Sequence, residues 1–78
     1  MDKLTEADIM FFDSKGFDVT TADGLMRAIE WVKITDADNL MFGEPTGDPF
    51  DIQMGELRRP MLLKMCKNAL DSIMKSGR

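Results

Sequence analysis

The sequence predicts an all-α single domain of four or five short helices, with a long amphipathic helix at the C-terminus. A length of 78 residues leaves room for one hydrophobic core. Capping motifs recur through the N-terminal half, and the C-terminal third carries apolar residues at helical spacing. With 44% hydrophobic and 31% charged residues, the composition is that of a folded protein rather than a disordered one.

The pattern T-x-A-D occurs three times, and each occurrence begins fifteen residues after the previous one. A threonine followed three residues later by an acidic side chain is a variant of the capping box, in which hydroxyl and acid satisfy free amides of the first turn. We therefore predict three helices, two of them followed by a glycine stop at Gly16 or Gly43. They run from Thr5 to about Lys15, from Thr20 to about Ile34 and from Thr35 to Phe42.

Two alternatives stay open for this region. The recurring pattern could mark an internal duplication instead of repeated capping chemistry. The apolar run 9–12 could be a short strand, because periodicity does not separate helix from strand at this length. The capping residues favour the helix.

Residues 43–49 form the clearest predicted loop, dense in turn-forming residues. Asp48 and Pro49 can then begin another helix, as cap and first helical residue. Pro60 should break or kink this segment, since proline lacks the amide and disfavours helical geometry at the preceding residue. The sequence leaves open whether Pro60 kinks one long helix or separates two.

The segment from Pro60 to Lys75 is predicted to be the central packing element. Its apolar face spans about 180°, wide enough to cover several neighbouring helices. That face comprises Leu62, Met65, Cys66, Ala69, Leu70 and Ile73. Because Cys66, the single cysteine, lies in the middle of this face, we expect an inert core thiol in a reducing cytosol.

Charge is distributed unevenly along the chain. The formal net charge is −4, but residues 1–52 carry twelve acids against four bases, and residues 53–78 carry two acids against six bases. The two parts either pack together or face different partners. No apolar run approaches the roughly 18 residues of a membrane span, and no signal-peptide pattern is present. We expect a cytoplasmic protein without membrane contact.

Catalytic and metal chemistry is not expected. The chain has neither histidine nor tyrosine, so the commonest general base and metal ligand is missing. A calcium loop counted from Asp13 lacks oxygen ligands at the third and fifth positions and the glycine at the sixth. Five further acids have no motif spacing, and we read them as caps and turn carboxylates: Asp36, Asp38, Glu44, Asp48 and Asp51. No cofactor is predicted.

Large apolar residues at the edges of the helix stripes are candidates for protein contact. Eight methionines are several times the usual share, and methionine lines adaptable binding surfaces as well as cores. Trp31 lies off the main stripe of its helix, with Met26 on the other flank. The predicted partner-binding residues are Trp31, Met26, Met41, Phe42, Glu44, Asp48 and Phe50.

The predicted function is that of a small non-catalytic cytosolic module, binding or regulating a protein partner that has a basic surface. A homodimer is a further option. The composition is similar to that of small acidic modulators or inhibitors of host proteins from phages and mobile elements. One alternative is a nucleic-acid-associated regulator that uses a basic surface of Arg58, Arg59, Lys64, Lys67 and Lys75. Another is a minor structural subunit of an assembly.

Overall fold

A computed structural model of the chain describes residues 3–43 and 47–76. The elements in chain order are α1 (Glu6–Ser14), α2 (Ala22–Ile34), a 3-10 turn (Ala37–Leu40) and α3 (Pro49–Ser76). The described residues contain no strand, so the predicted all-α class is confirmed for them. Residues 3–43 and 47–76 form three α-helices and one 3-10 turn, so the predicted count of four or five helices is wrong. The segments on either side of Pro60 form one helix, and the third predicted helix is only a 3-10 turn.

Helix α1 begins with the predicted capping box. The Thr5 hydroxyl accepts a hydrogen bond from the Asp8 amide at 3.2 Å, and the Asp8 carboxylate accepts one from the Thr5 amide at 3.1 Å. The helix ends at Ser14, and Gly16 follows with φ of 90°, a conformation that glycine adopts without strain. The run 9–12 is therefore helical, and it buries Phe11 and Phe12.

The other two T-x-A-D motifs behave differently from the first. Thr21, rather than Thr20, caps α2 by accepting a hydrogen bond from the Gly24 amide at 3.0 Å. Thr35 is the C-terminal cap of α2, and Asp36 precedes the 3-10 turn without forming a side-chain cap. Because the three motifs have three different local structures, they do not mark a structural repeat.

Helix α3 continues through Pro60 for a total of 28 residues, so Pro60 does not separate two helices. An interior proline costs about 3 kcal/mol because it removes one backbone hydrogen bond and crowds the preceding turn. Pro60 is exposed, so the Glu56 carbonyl, which loses its helical partner, is on the solvent side. Contacts adjacent to Pro60 hold the helix in place. Gly55 is buried against Ala37, and Arg59 Nη1 donates to the Val32 carbonyl at 2.6 Å.

The core lies between α1, α2, the 3-10 turn and the second half of α3. Leu62 and Cys66 are the α3 side chains that are completely buried. Around them, half-buried apolar residues of α3 pack against the core, namely Leu63, Met65, Ala69, Leu70 and Ile73. The core itself comprises Phe11, Phe12, Val19, Leu25, Ala28, Ile29, Val32, Leu40, Leu62 and Cys66. Over residues 3–43 and 47–76, no helix has the length and apolarity needed to cross a membrane.

Candidate protein-binding site

Several large apolar side chains remain exposed on this small core. The exposed group is Met10, Met26, Ile34, Phe42, Phe50, Ile52, Leu57, Met61 and Met74. A chain of this size exposes much of its surface in any case, so exposure alone does not define a site. Phe42 differs from a freely solvated side chain because several contacts determine the position of its ring.

Phe42 follows the 3-10 turn, and the residue is 56% exposed to solvent. Its centroid lies 5.5 Å from that of Phe11, at an interplanar angle of 68°. The guanidinium carbon of Arg58 lies 4.8 Å from the Phe42 centroid, within the range of a cation–π contact. One side of the ring is therefore packed on the fold, and the rest is open to a partner.

Arg58 is held by a second group of contacts. Its Nε donates to the Leu40 carbonyl at 2.6 Å, and its guanidinium also lies 5.5 Å from the Phe11 centroid. Its Nη2 is 4.0 Å from an oxygen of Asp8, a buried carboxylate whose other oxygen is bonded to Thr5. The capping box of α1 thus fixes Asp8 beside Arg58, and Arg58 supports Phe42.

An open groove of about 490 Å³ runs beside Phe42 along α1. The Lys15 ammonium lies 5.7 Å from the Phe11 centroid and supplies a positive charge at this groove. The lining residues are Ala7, Met10, Phe11, Ser14, Lys15, Phe42 and Gly43. A groove of mixed polar and apolar lining with an exposed aromatic ring beside it can receive an apolar side chain of another protein.

The structure brings together some of the predicted partner-binding residues. Trp31 is half-buried, and its ring lies 6.2 Å from Phe11 and 5.4 Å from Phe17. Trp31 and Phe42 therefore contact the same ring, that of Phe11. Met26 is exposed, but it lies on the other flank of α2 from Trp31.

The remaining predicted residues lie around the start of α3 and the preceding loop. Met41 is half-buried, and Phe50 is exposed. The Asp48 carboxylate accepts a hydrogen bond from the Phe50 amide at 2.8 Å, which agrees with its predicted capping role. Glu44 lies outside the described residues.

The predicted basic surface is divided by the fold. Arg58 and Arg59 are half-buried, and both donate to backbone carbonyls of other elements. Lys64 and Lys67 are exposed on the outer side of α3. Lys75 pairs with Asp71 at 3.1 Å. Two of the five residues proposed for contact with phosphates therefore hold the fold together instead.

The site depends on residues that the sequence did not single out as a group. Asp8 and Phe11 are three residues apart on α1, but Arg58 lies 50 residues after Asp8, and helical spacing relates only neighbours three or four residues apart. The sequence predicts Arg58 on the basic surface, because no neighbouring residue indicates that its side chain turns inward.

Cys66 lacks the environment of a catalytic nucleophile. Burial, together with the negative charge of Asp8, raises the pKa of its thiol to about 11, so the thiolate is scarce near neutral pH.

Among the described residues, no group of three or more Cys, Asp or Glu side chains is arranged to hold a metal ion. The pKa of exposed Asp18 is lowered because its carboxylate accepts hydrogen bonds from Thr20.

Comparison with protein-family models, curated proteins and solved structures finds no match to this chain.

Proposed function

We propose that this chain is a small non-catalytic module that binds a protein partner through Phe42 and the adjacent groove. The observation that carries the proposal is the exposed Phe42 ring resting on Arg58. Arg58 is itself held by Leu40, Phe11 and Asp8. Aromatic side chains that are held rigidly before binding lose little conformational entropy, and they often supply most of the binding energy of an interface.

The expected partner has an apolar recess for Phe42. Its basic surface lies away from that recess, because Lys15 and Arg58 already place positive charge beside Phe42. The described N-terminal part carries exposed acids that could face such a surface at longer range: Asp13, Asp18, Asp23, Glu30 and Asp36. The buried single thiol is compatible with a cytosolic protein. A cytosolic regulator or inhibitor of another protein, of the kind phages and mobile elements encode, would have these properties.

Affinity purification with matched variants tests the proposal. Phe42→Ala should reduce recovery of the partner at least tenfold, because it removes the anchor ring. Met26→Ala removes a side chain of similar exposure, 55% against 56%, on another surface, and it should leave recovery unchanged. Circular dichroism should show that both variants remain folded.

Two results would refute the proposal. One is the absence of any specific partner of the wild-type chain. The other is equal recovery of the partner by wild type and folded Phe42→Ala. Salt should weaken the complex moderately if the partner is basic, because exposed charges are screened.

Binding to nucleic acid has less support. It would rest on Lys64, Lys67 and Lys75, since the contacts of Arg58 and Arg59 lie within the fold. A salt titration with DNA or RNA tests it directly, since phosphate contacts produce a steep loss of affinity that Lys64→Glu and Lys67→Glu should remove.

A further inference from the structure

The groove beside Phe42 has an apolar part and a charged end. One wall is a face of α1, where Ala7, Met10 and Ser14 recur at helical spacing. The other wall includes the exposed ring of Phe42. The small side chains of Ala7 and Ser14 leave space around Met10, whose flexible thioether adapts to an apolar partner. Among the described residues that line the groove, Lys15 is the charged one, and it lies at the end of α1.

The charge of Lys15 has no acidic partner in the described part of the chain. The residue is half-buried, and its ammonium lies 5.7 Å from the Phe11 centroid without an ion pair to a described carboxylate. The carbonyls of the last turn of α1 are satisfied by other groups. The Ser14 hydroxyl donates to the Phe11 carbonyl at 2.6 Å, and the amides of Lys15 and Phe17 donate to the Phe12 carbonyl. The ammonium is therefore available to a carboxylate of another molecule.

The acids of α1 do not neutralise this end of the groove. Seen along the helix axis, Glu6 and Asp13 lie about 160–180° from Lys15. Asp8 is buried, and an oxygen of its carboxylate lies 4.0 Å from Arg58 Nη2. Two cations and one buried acid thus surround the aromatic rings at the groove. The local charge is positive, although the chain as a whole carries −4.

We propose that the partner segment that binds in this groove is both apolar and acidic. A leucine-sized side chain enters between Met10 and Phe42, and a neighbouring Asp or Glu side chain of the partner pairs with Lys15. The groove volume of about 490 Å³ lies within the roughly 300–1,000 Å³ of small-ligand clefts, so it holds a few side chains rather than a whole helix. This inference rests on the function proposed above, because it names the chemistry of the partner at the same site.

Other anions match the groove less well. Phosphate groups are usually held by several donors or by the amides at a helix N-terminus, whereas this groove offers one lysine at the C-terminal end of α1. Arg58 adds little, because its Nε already donates to the Leu40 carbonyl. A C-terminal carboxylate is usually captured by a nest of backbone amides. A single ammonium is a point charge, which suits one side-chain carboxylate.

Titration with short peptides, followed by the backbone amide signals in NMR, tests this chemistry. The probe is acetyl-Gly-Leu-Glu-Gly-amide at up to about 10 mM, which covers dissociation constants in the millimolar range. It should shift the amide signals of Lys15, Phe42 and Gly43 and leave that of Met26 unchanged. Replacing the peptide's glutamate by glutamine, or its leucine by alanine, should weaken binding about threefold, because each change removes one of the two contacts.

A double-mutant cycle tests the contact with Lys15. Lys15→Gln should weaken binding of the glutamate peptide about threefold and should bind the glutamate and glutamine peptides equally. Lys67→Gln is the matched control, because it removes the same charge from an exposed position on the outer side of α3. It should retain the preference for glutamate. The dispersion of the NMR signals shows whether each variant is folded.

Four results would overturn the inference. Two of them are the absence of shifts at the groove amides and equal binding of the glutamate and glutamine peptides by the wild type. The others are tighter binding, at the same amides, of a short thymidine oligonucleotide or of a peptide that ends in a free leucine carboxylate. The first would identify a phosphate ligand and the second a chain terminus.

The captured protein partner separates this inference from the proposed function. Lys15→Glu should reduce recovery of the partner at least tenfold, because it turns an attraction into a repulsion, whereas Lys67→Glu should not. If Phe42→Ala abolishes recovery and Lys15→Glu leaves it intact, the function stands and the acidic segment is wrong. If folded Phe42→Ala recovers the partner as well as wild type does, the function itself is wrong.

Discussion

Gly55 occupies the point where α3 approaches the 3-10 turn most closely. A Cβ atom at this position would lie 1.8 Å from the Ala37 carbonyl oxygen, so the two backbones would have to separate. At an ordinary exposed helix position, a change from glycine to alanine would stabilise the helix by up to about 1 kcal/mol. At Gly55 the same change should destabilise the protein instead.

We predict that Gly55→Ala lowers the free energy of unfolding by about 1–3 kcal/mol, the usual cost of forcing extra volume into a packed contact. Urea denaturation, followed by circular dichroism, measures this change in the free energy of unfolding. Gln53→Ala, two residues earlier at an exposed position, is the control and should change stability by less than about 0.5 kcal/mol. A stabilised Gly55→Ala variant would show that the close approach does not exist in solution.

Cys66 should make stability depend on pH in the alkaline range. Its pKa is raised from 9.0 to about 11 by burial first and by the charge of Asp8 second. Below pH 9 the thiol is protonated in both states, so its contribution is fully present. Between pH 9 and 11 the unfolded chain loses the proton first, and the free energy of unfolding falls by up to about 1.4 kcal/mol per pH unit.

The measurement compares the wild type with Cys66→Ala from pH 8 to pH 11. The wild type should be the more stable protein at pH 8, because alanine leaves a small cavity. Its advantage should shrink as the pH rises, since only the wild type carries the thiol. All other side chains are the same in the two proteins, so their contributions cancel in the difference. A difference that stays constant across the range would contradict the buried, high-pKa thiol.

At the residue scale, the sequence predicted what depends on near neighbours. The Thr5 cap and the inward position of Cys66 follow from spacings of three or four residues, and the structure shows both. The inward turn of Arg58 was not predictable in this way. It depends on Leu40 and Asp8, which lie 18 and 50 residues earlier in the chain. Only the folded topology brings these residues together.

At the element scale, Pro60 shows how tertiary contacts outweigh local preference. The local rule predicts a break or kink, and α3 runs through Pro60 as one helix, so the break does not occur. Arg59 donates a hydrogen bond to the Val32 carbonyl, and Leu62 is fully buried. The helical turns before and after Pro60 are therefore both anchored to the core. A sequence pattern contains the local cost of proline but does not show these anchors.

We predict that Pro60→Ala stabilises the protein by about 1–2 kcal/mol, somewhat less than the full cost of an interior proline because the site is exposed. The variant restores the amide that the Glu56 carbonyl would accept from. Pro49→Ala is the control, because proline fits the first helical position without cost and the change should be neutral or slightly destabilising. Equal effects of the two substitutions would indicate that α3 is already broken at Pro60.

On the scale of the whole molecule, the two halves of α3 have different roles. The second half holds the core through Leu62 and Cys66, as the amphipathic pattern from Pro60 to Lys75 predicted. The first half exposes most of its large apolar side chains. Gly55 is its fully buried residue, and Met54, Arg58 and Arg59 are half-buried. The same helix therefore stabilises the fold at one end and offers a surface at the other.

This division predicts the result of shortening the chain. A chain that ends at Met61 keeps the first half of α3 and Phe42 but loses Leu62 and Cys66, together with the half-buried residues packed around them. Because a small domain has little stability to spare, we expect this chain to lose its cooperative urea transition and most of its far-UV helical signal.

The matched control ends at Lys75, which retains every α3 residue packed on the core, and it should unfold like the full chain. If the chain ending at Met61 kept a cooperative transition, α1, α2 and the 3-10 turn would form a core without the second half of α3. The exposed apolar residues of the first half would then have to be part of that core. Since those residues are exposed while the second half is in place, we expect the chain ending at Met61 to lose its cooperative transition.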